Sequence, residues 1–355
     1  MNCCINCFES SYLKSIIVNS NSIQGDCDYC KSQNVDIYKA SELNLFFRNI
    51  IDLYKEDTHN GKSIEKQIIS DFPKKTFTET LISSGNIKSL LQEIMKDDLG
   101  EYNNILNNPV SLKIDLLGVE ETIIKPLSLS WDNFSDEIKK KNRFHFVSAL
   151  DLEKLKSLFK HFEKEITKGK KFYRARISGS KSVYKKEDMG NPPAHLAKSG
   201  RANPEGISYL YLAGDLETTL YEVRASLFDY VSVGTFKLDD NIKVVNLSEE
   251  TYDIFSHAES ETLDELIIHK SFIRKLEEEL SKPRRRSDSE LDYLPTQYLS
   301  ELIKSMECDG IEFKSSLNKK GLNLVIFNPE KFRCIEVKLY DIEDIELSHT
   351  ETTSQ

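Results

Sequence analysis

Apolar residues recur at helical spacing through much of the first half of the chain. Residues 41–55 begin with a serine suited to an N-cap and repeat apolar side chains every three or four positions. Similar stripes cover residues 78–96 and 150–166. The pattern predicts a mainly helical domain over residues 37–168.

The pattern changes after residue 168, where short apolar runs with strand periodicity alternate with helical segments. Strands are predicted over residues 172–177, 207–213, 230–236, 242–247, 310–313, 323–327 and 334–339. Helices are predicted over residues 215–228, 262–281 and 295–307. This order of elements is typical of an α+β domain with a mixed sheet, which we place at residues 169–345, before a short tail at 346–355.

Five of the seven cysteines lie within the first thirty residues, as CCINC and CDYC. In a reducing compartment, two C-x-x-C pairs with this separation are typical of a zinc site in which four thiolates complete a tetrahedron. The predicted ligands are Cys4, Cys7, Cys27 and Cys30, and Cys3 is the alternative to Cys4. Redox-active pairs and disulfides are the competing interpretations. Four thiolates leave no open position, so the zinc is predicted to be structural, in a module at residues 1–36.

Composition narrows the classes of function. The 355 residues carry a net charge of −10, which argues against broad binding to nucleic acid. Their number favours two domains with a small third module. No apolar run approaches the ~18 residues of a membrane span, and the first residues lack the pattern of a signal peptide. We therefore expect a cytoplasmic protein without a membrane partner.

Several catalytic motifs are absent from the sequence. Gly61, Lys62 and Ser63 match the end of a phosphate-binding loop, but Glu56 stands where that loop needs its first glycine. There is no G-x-G-x-x-G after a strand, no H-E-x-x-H, and no histidine motif beside a nucleophile. The helical half is HEPN-like at most, because it lacks the arginine and histidine spacing of the HEPN nucleases.

The stretch GRANPEGISYLYLAGDLETTLYEVR holds polar residues where a plain core segment would carry leucine and alanine. Residues 203–206 predict a type I turn, with Arg201 just before it. Tyr211 lies on one face of the following strand. Glu222 lies about 120° from the centre of the apolar stripe of the next helix, where it can line a cleft. Taken singly, a core tyrosine, a solvated glutamate and a loop charge explain these residues.

Two other segments add to this arrangement. The strand FYRARI places Arg174 and Arg176 on one face, and a guanidinium that faces a cleft suits a pyrophosphate. The segment DGIEFKSSLNKKGLNLVIF places Ser315 and Ser316 just after a strand. Residue types and spacing alone thus predict a cleft lined by arginine, tyrosine and glutamate.

The second half of the chain resembles the RES domain over about residues 170–340, in four segments: FYRARI, SGRANPEGISYLYLAGDLETTLYEV, YLPTQYLSELIKS and DGIEFKSSLNKKGLNLVIF. The family's motif falls on Arg174, Arg201, Tyr211, Glu222 and Ser315. Ala202 stands where an aromatic residue is common in the family, and Ser316 competes with Ser315 by one register. The cysteine-bearing helical region before it resembles HEPN/RES N-terminal fusions.

The resemblance implies an ADP-ribosyltransferase-like fold and an enzyme that consumes NAD as its substrate. It implies that Glu222 stabilises positive charge on the ribose and that Arg174 and Arg201 clamp the diphosphate. Tyr211 would orient the nicotinamide side, and Ser315 would bind the ribose or the carboxamide. The acceptor stays open, since water, phosphate and a protein side chain correspond to a glycohydrolase, a phosphorylase and an ADP-ribosyltransferase. A non-catalytic module that senses NAD or ADP-ribose is a further alternative.

The resemblance also implies a biological setting, because RES domains include bacterial toxins that destroy NAD. We expect a toxin-antitoxin or anti-phage role, with an antitoxin or another regulatory protein as partner. Self-association as a homo-oligomer is a further expectation.

Overall fold

The computed structural model describes residues 1–20, 23–72, 76–116, 127–147, 150–248, 253–257, 263–283, 289–318 and 320–346. The chain divides into two compact units: Met1–Pro126 with Glu250–Lys270, and Leu127–Glu249 with Ser271–Gln355. The predicted boundaries at 36, 168 and 345 stay predictions. The predicted tail lies, after residue 346, outside the described residues.

The first unit combines short helices with two small sheets. Its helices are α1 Ser11–Asn19, α2 Asn44–Ile51, α3 Ile64–Asp71, α4 Glu79–Ser84, α5 Ile87–Ile94, α6 Leu99–Asn107 and α7 Lys113–Leu116. Its strands are β1 Asn2–Cys4, β2 Ile23–Gly25, β3 Val35–Lys39, β4 Tyr54–Glu56 and β5 Val110–Leu112. They form a three-stranded sheet in the order β1-β3-β2 and a two-stranded sheet of β4 and β5.

The helix predicted over residues 78–96 is wrong in one respect, because the structure has two helices there. Thr78 caps α4 by accepting a hydrogen bond from the backbone N–H of Leu81. Gly85 follows α4 with a φ of 71°, a left-handed conformation that ends the helix and that glycine adopts without strain. The apolar stripe continues into α5, which buries Ile87, Leu90, Leu91 and Ile94.

The second unit is built on one large sheet. Its helices are α8 Leu127–Lys140, α9 Leu152–Lys160, α10 Leu216–Glu222 and α12 Leu294–Ser305, and α11 Leu263–Ser281 enters it at residue 271. Its strands are β6 Glu163–Ile166, β7 Lys171–Ser178, β8 Leu210–Ala213, β9 Tyr230–Leu238, β10 Ile242–Asn246, β11 Gly310–Lys314, β12 Leu322–Ile326 and β13 Phe332–Asp341.

The eight strands follow the order β13-β9-β7-β8-β12-β11-β10-β6. Only β10 and β11 pair in parallel among the described pairs, and the others are antiparallel. The predicted α+β class with a mixed sheet is confirmed. The pairing of the three central strands β7, β8 and β12 fixes the positions of the side chains in the candidate site described below. In this pairing, Ala213 of β8 lies opposite both Tyr173 of β7 and Asn323 of β12.

Two predicted helices of this region are shorter than expected. The helix predicted over residues 150–166 ends at Lys160, and the chain then forms β6, which pairs with β10 through Ile166 and Ile242. The four-residue gap between Phe162 and Ile166 fits a helix face and a strand face equally, so periodicity alone could not place that boundary.

The helix predicted over residues 215–228 ends at Glu222. Asp215 caps its start by accepting from the N–H of Thr218 at 2.8 Å, as expected. Arg224 has a φ of 54°, which stops the helix, and Leu227 is exposed instead of continuing the apolar stripe. Leu216, Leu220 and Val223 pack against a buried cluster on the sheet, so α10 is fixed on β7 and β9.

Helices α8 and α12 pack through aromatic side chains, with the rings of Phe134 and Tyr298 4.8 Å apart. No described helix is both long enough and apolar enough to cross a membrane.

Candidate functional site

A cavity of about 610 Å³ opens in the second unit over the middle of the sheet. It is bounded by β7, β8, β12, the end of α10, the end of α11 and the loop at residues 198–203. Among the described residues that line it, five are cationic and one is acidic: Arg174, Lys198, Arg201, Arg224, Lys282 and Glu222. A protein with a net charge of −10 thus builds one locally cationic cavity.

The Glu222 carboxylate is the single acidic group among the described lining residues, and two side chains hold it. Ser315 Oγ donates to Oε1 at 2.6 Å, and Asn323 Nδ2 donates to the same oxygen at 2.8 Å. No described residue donates to Oε2. One oxygen is therefore anchored, and the other is open to a ligand in the cavity.

Ser315 is oriented by its own loop. The backbone N–H groups of Leu317 and Asn318 donate to Ser315 Oγ at 3.2 and 3.1 Å, so its proton points to Glu222. Ser315 is buried, whereas Ser316 is exposed and lines the cavity. Of the two serines that the sequence left open, the structure brings Ser315 to the carboxylate.

The loop after Ser315 returns tightly to the start of α10. Gly321 O accepts from Ser315 N at 2.9 Å, and Asn318 Nδ2 donates to Thr218 Oγ1 at 3.0 Å. A Cβ on Gly321 would overlap the Thr218 side chain, which is fully buried. Glycine at this position is what allows the loop to close on α10.

Arg174 reaches the cavity from β7 and is part-buried. Its Nη1 donates to Gly190 O at 2.6 Å, and Nη2 of Arg176 donates to the same carbonyl at 3.0 Å. Burial, and then the neighbouring charge of Arg176, lower the pKa of Arg174 to about 10, which leaves it cationic at neutral pH. Both arginines share one strand face as predicted, but only Arg174 is among the described lining residues.

Arg201 is held by contacts on two sides. Its Nη1 donates to Glu279 O at 3.1 Å, and its Cζ lies 4.9 Å from the ring centroid of Tyr293. A guanidinium has five N–H donors, so these contacts leave donors for an anionic ligand.

Tyr211 faces the cavity from β8. Its hydroxyl donates to Asn203 Oδ1 at 2.7 Å and accepts from Ala202 N at 3.4 Å. Burial raises the pKa of Tyr211, so the phenol stays protonated.

The predicted type I turn at residues 203–206 is wrong by one residue. The closing hydrogen bond runs from Ile207 N to Pro204 O at 3.2 Å, and Gly206 has a φ of 82°. A positive φ belongs to the third residue of a type II turn, which places the turn at 204–207. Asn203 is freed from the turn and instead supports Tyr211.

A separate cluster in the first unit joins the four predicted cysteines. The Sγ atoms of Cys4 and Cys30 and those of Cys7 and Cys27 lie 3.4 Å apart, and all four lie within 4.8 Å of one another. A tetrahedral zinc with bonds of ~2.3 Å needs sulfurs about 3.8 Å apart. All four are buried, so the donor set and the spacing could hold zinc.

Cys3 lies outside this cluster and donates to Tyr38 O at 3.4 Å. Burial raises the pKa of Cys3, which keeps it a thiol. In contrast, sulfur hydrogen bonds from Cys4 and Cys7 lower the pKa of Cys27.

Sequence reasoning missed several residues that line the cavity or hold its loop. Asn323 was predicted only as the first residue of a core strand. A polar amide at the start of an otherwise apolar strand was a usable signal that the side chain faces a polar site. Thr296 and Gln297 were predicted within the helix over residues 295–307 and within the segment YLPTQYLSELIKS of the family resemblance, but no role was assigned to either side chain. Lys198 carried no signal that distinguishes it from other surface lysines.

Comparisons with known proteins bear on this domain. The family model described as RES domain matches residues 171–348, which is just over half of the chain. Among solved structures, the crystal structure of the M. tuberculosis MbcT-MbcA toxin-antitoxin complex contains a similar chain. The two are 14% identical, with 54% of this chain and 93% of that chain covered and a TM-score of 0.32, which supports no functional inference. No curated protein matches the sequence. The chain belongs, by the family match, to the RES domain family.

Proposed function

We propose that the RES domain binds NAD in the cationic cavity and cleaves its nicotinamide–ribose bond. The observation that carries this proposal is the Glu222 carboxylate, anchored through Oε1 and placed among five cationic side chains. A cavity of about 610 Å³ lies within the usual range for small-molecule sites. Membership of the RES family supports the same substrate, because the family includes enzymes that degrade NAD.

In the proposed reaction the C–N bond between ribose and nicotinamide breaks, and its electron pair leaves with nicotinamide. The ribose becomes positively charged in the transition state, and the open oxygen of Glu222 stabilises that charge. Nicotinamide leaves as a neutral base, so the step needs no proton donor. The acceptor then adds to the ribose carbon and loses its proton to solvent.

The other site residues have binding and positioning roles in this proposal. Arg174 and Arg201 bind the diphosphate, and each keeps free N–H donors for it. Tyr211 orients the nicotinamide side from β8. Ser315 donates to Glu222 and accepts from two backbone N–H groups, so its contacts favour a role in orienting the carboxylate over direct contact with the ribose.

Nicotinamide release from NAD by the purified chain tests this function. We expect Glu222→Gln to lower turnover by ~10²-fold or more while ADP-ribose binding is retained, because the amide keeps the shape but loses the charge. Glu217→Gln is the matched control, since Glu217 lies on the same helix and is exposed outside the described lining. Full activity in Glu222→Gln would refute the assignment.

The identity of the acceptor is decided by the products. Free ADP-ribose marks a glycohydrolase, a phosphorylated ADP-ribose that forms only with phosphate marks a phosphorylase, and label retained on protein marks an ADP-ribosyltransferase. ADP-ribose binding without nicotinamide release in any condition would instead mark a sensing module. We place the enzyme in a toxin-type setting, since unrestrained loss of NAD harms the host cell and requires an antitoxin or another regulator.

We also propose that Cys4, Cys7, Cys27 and Cys30 hold a structural zinc. Four buried thiolates around one ion leave no position for water, so the zinc would contribute to folding and not to the reaction.

A further inference from the structure

The first turn of α12 buries two polar side chains. Thr296 and Gln297 are 1% and 6% exposed, in a turn that otherwise contributes to the core. Buried polar groups are almost always hydrogen-bonded, so their partners indicate why they are there.

Both side chains bond to the backbone around Arg201. Thr296 Oγ1 donates to Arg201 O at 2.6 Å and lies 3.0 Å from Tyr293 O. Gln297 Nε2 lies 2.8 Å from Gly200 O, 3.1 Å from Asn203 O and 3.0 Å from Ser199 Oγ. The carbonyls of residues 200, 201 and 203 are therefore all bound by the start of one helix.

The same helix start also contacts the Arg201 head group, since the ring of Tyr293 lies beneath the guanidinium. The loop is also closely packed at Gly200. A Cβ on Gly200 would come within 2.5 Å of Asn203 Oδ1 and 3.0 Å of the Tyr211 hydroxyl. Residues 199–203 form neither helix nor strand. The hydrogen bonds from Thr296 and Gln297 therefore fix this backbone in place of the regular hydrogen bonds of a helix or sheet.

We propose that Thr296 and Gln297 are positioning residues that hold Arg201 at the cavity and so set its affinity for the diphosphate of the substrate. The proposal rests on the proposed function for the identity of that substrate. Neither side chain is among the described lining residues, so both would act through the loop and not through contact with the ligand.

The test uses two nearly isosteric variants of the full chain. Thr296→Val removes the hydroxyl, and Gln297→Glu replaces a donor with an acceptor that faces three oxygens. ADP-ribose is the probe, and its binding is measured by calorimetry. We expect ~10-fold weaker binding for Thr296→Val and a larger loss for Gln297→Glu, since an amide–carboxylate exchange leaves buried acceptors unpaired. For NAD, KM should rise by the same factor while kcat changes by less than about threefold.

Two controls separate positioning from general destabilisation. Thr296→Ser keeps the hydroxyl and should restore wild-type binding. Ser300→Ala removes a buried hydroxyl that donates to Thr296 O at 2.9 Å, one turn further along the helix, so it should lower stability without weakening binding. Equal loss of binding in Ser300→Ala and Thr296→Val would overturn the proposal.

A double-mutant cycle tests whether the effect passes through Arg201. In an Arg201→Ala background, Thr296→Val should weaken ADP-ribose binding no further. An additive loss would overturn the proposal. Failure of the proposed function is a separate result: wild-type protein that binds ADP-ribose but releases no nicotinamide would refute cleavage, whereas unchanged binding in Thr296→Val with intact nicotinamide release would refute positioning alone.

Discussion

The four-cysteine cluster and the cationic cavity are assembled in opposite ways. In the cluster, Cys4 and Cys7 are three residues apart, and the most distant pair in hydrogen-bond contact, Cys4 and Cys30, is 26 apart. In the cavity, the two groups that hold Glu222 come from 93 and 101 residues further along the chain. One site depends on local turns, and the other depends on the register of a central sheet.

This difference determines which structural changes each site can tolerate. The cluster is built on two short turns within the first thirty residues. Each turn is also hydrogen-bonded from outside that segment, from Thr78 N to Cys7 O at 3.1 Å and from Asn86 Nδ2 to Tyr29 O at 2.8 Å. The carboxylate of Glu222 reaches Asn323 because β12 pairs with β8 so that Asn323 lies opposite Ala213, shortly before α10 begins. A change that shifts one strand or loop therefore alters the cavity without touching its charges.

The largest effect is expected from loss of a cysteine of the cluster. Cys27→Ser should abolish stoichiometric zinc and unfold the sheet of β1, β2 and β3, because structural zinc sites of this kind contribute ~10 kcal/mol or more to folding. Metal content by mass spectrometry and hydrogen exchange in residues 1–39 measure it. Cys3→Ser is the control and should keep its zinc, since Cys3 lies outside the cluster. Equal zinc loss in both variants would contradict the local assembly of the site.

A smaller effect is expected from Gly321→Ala. The added methyl meets a Thr218 side chain that is fixed by Asp215 at 2.7 Å and by Asn318 at 3.0 Å, so the loop must shift, at a cost of roughly 1–3 kcal/mol. The urea concentration at the unfolding midpoint and the rate of nicotinamide release should both fall. Gly179→Ala is the control, because a Cβ there meets no atom within 4 Å. If both variants behave alike, the tight closure of the loop on α10 does not matter.

A third prediction concerns the anchor of the carboxylate. Ser315→Ala removes one of two donors to Oε1 and should lower nicotinamide release about tenfold, in line with a hydrogen bond to a charged group. Ser316→Ala should have little effect, since Ser316 lines the cavity but does not bond to Glu222. The reverse result would show that the register of the loop differs by one residue.

Much of the fold was predictable, because its elements are set by local pattern. The strands of the mixed sheet were predicted close to their observed positions, apart from the short β6. The boundaries failed where a second signal overrode the period, as at Gly85 and Arg224, whose positive φ angles end helices inside an apolar stripe. The small strands of the first unit were missed because four of the five have only three residues, which are too few to show an alternation.

The candidate site was predictable to a different extent. The cysteines could be predicted from spacing alone, and the structure brings all four together. For Arg174, Arg201, Tyr211 and Glu222, residue types and spacing predicted only a cleft, and the family resemblance was needed to interpret it as an NAD site, since no spacing rule joins residues from separate elements. Asn323 contacts Glu222, and Thr296 and Gln297 contact the loop that carries Arg201. These contacts depend on strand register and helix packing, so sequence pattern alone could not identify the partners.

The smallest effect is expected from substitution of two tyrosines at β8. Tyr211 lies within this strand, and Tyr209 lies just before it. Tyr211→Phe removes a donor to Asn203 Oδ1 and an acceptor for Ala202 N, and should lower the free energy of unfolding by about 1–2 kcal/mol. Tyr209→Phe should be neutral or stabilising, because no described residue hydrogen-bonds the buried Tyr209 hydroxyl. Urea unfolding followed by hydrogen exchange in β8 measures both.

The pair is informative because the two side chains have the same chemistry and lie two residues apart. If the fold of β8 alone determined their contribution, both substitutions would cost the same. We expect a difference of about 1 kcal/mol or more, together with weaker ADP-ribose binding for Tyr211→Phe only, since that hydroxyl supports the loop carrying Arg201. Equal effects on stability and binding would mean that the Tyr211 hydroxyl does not connect the sheet to that loop.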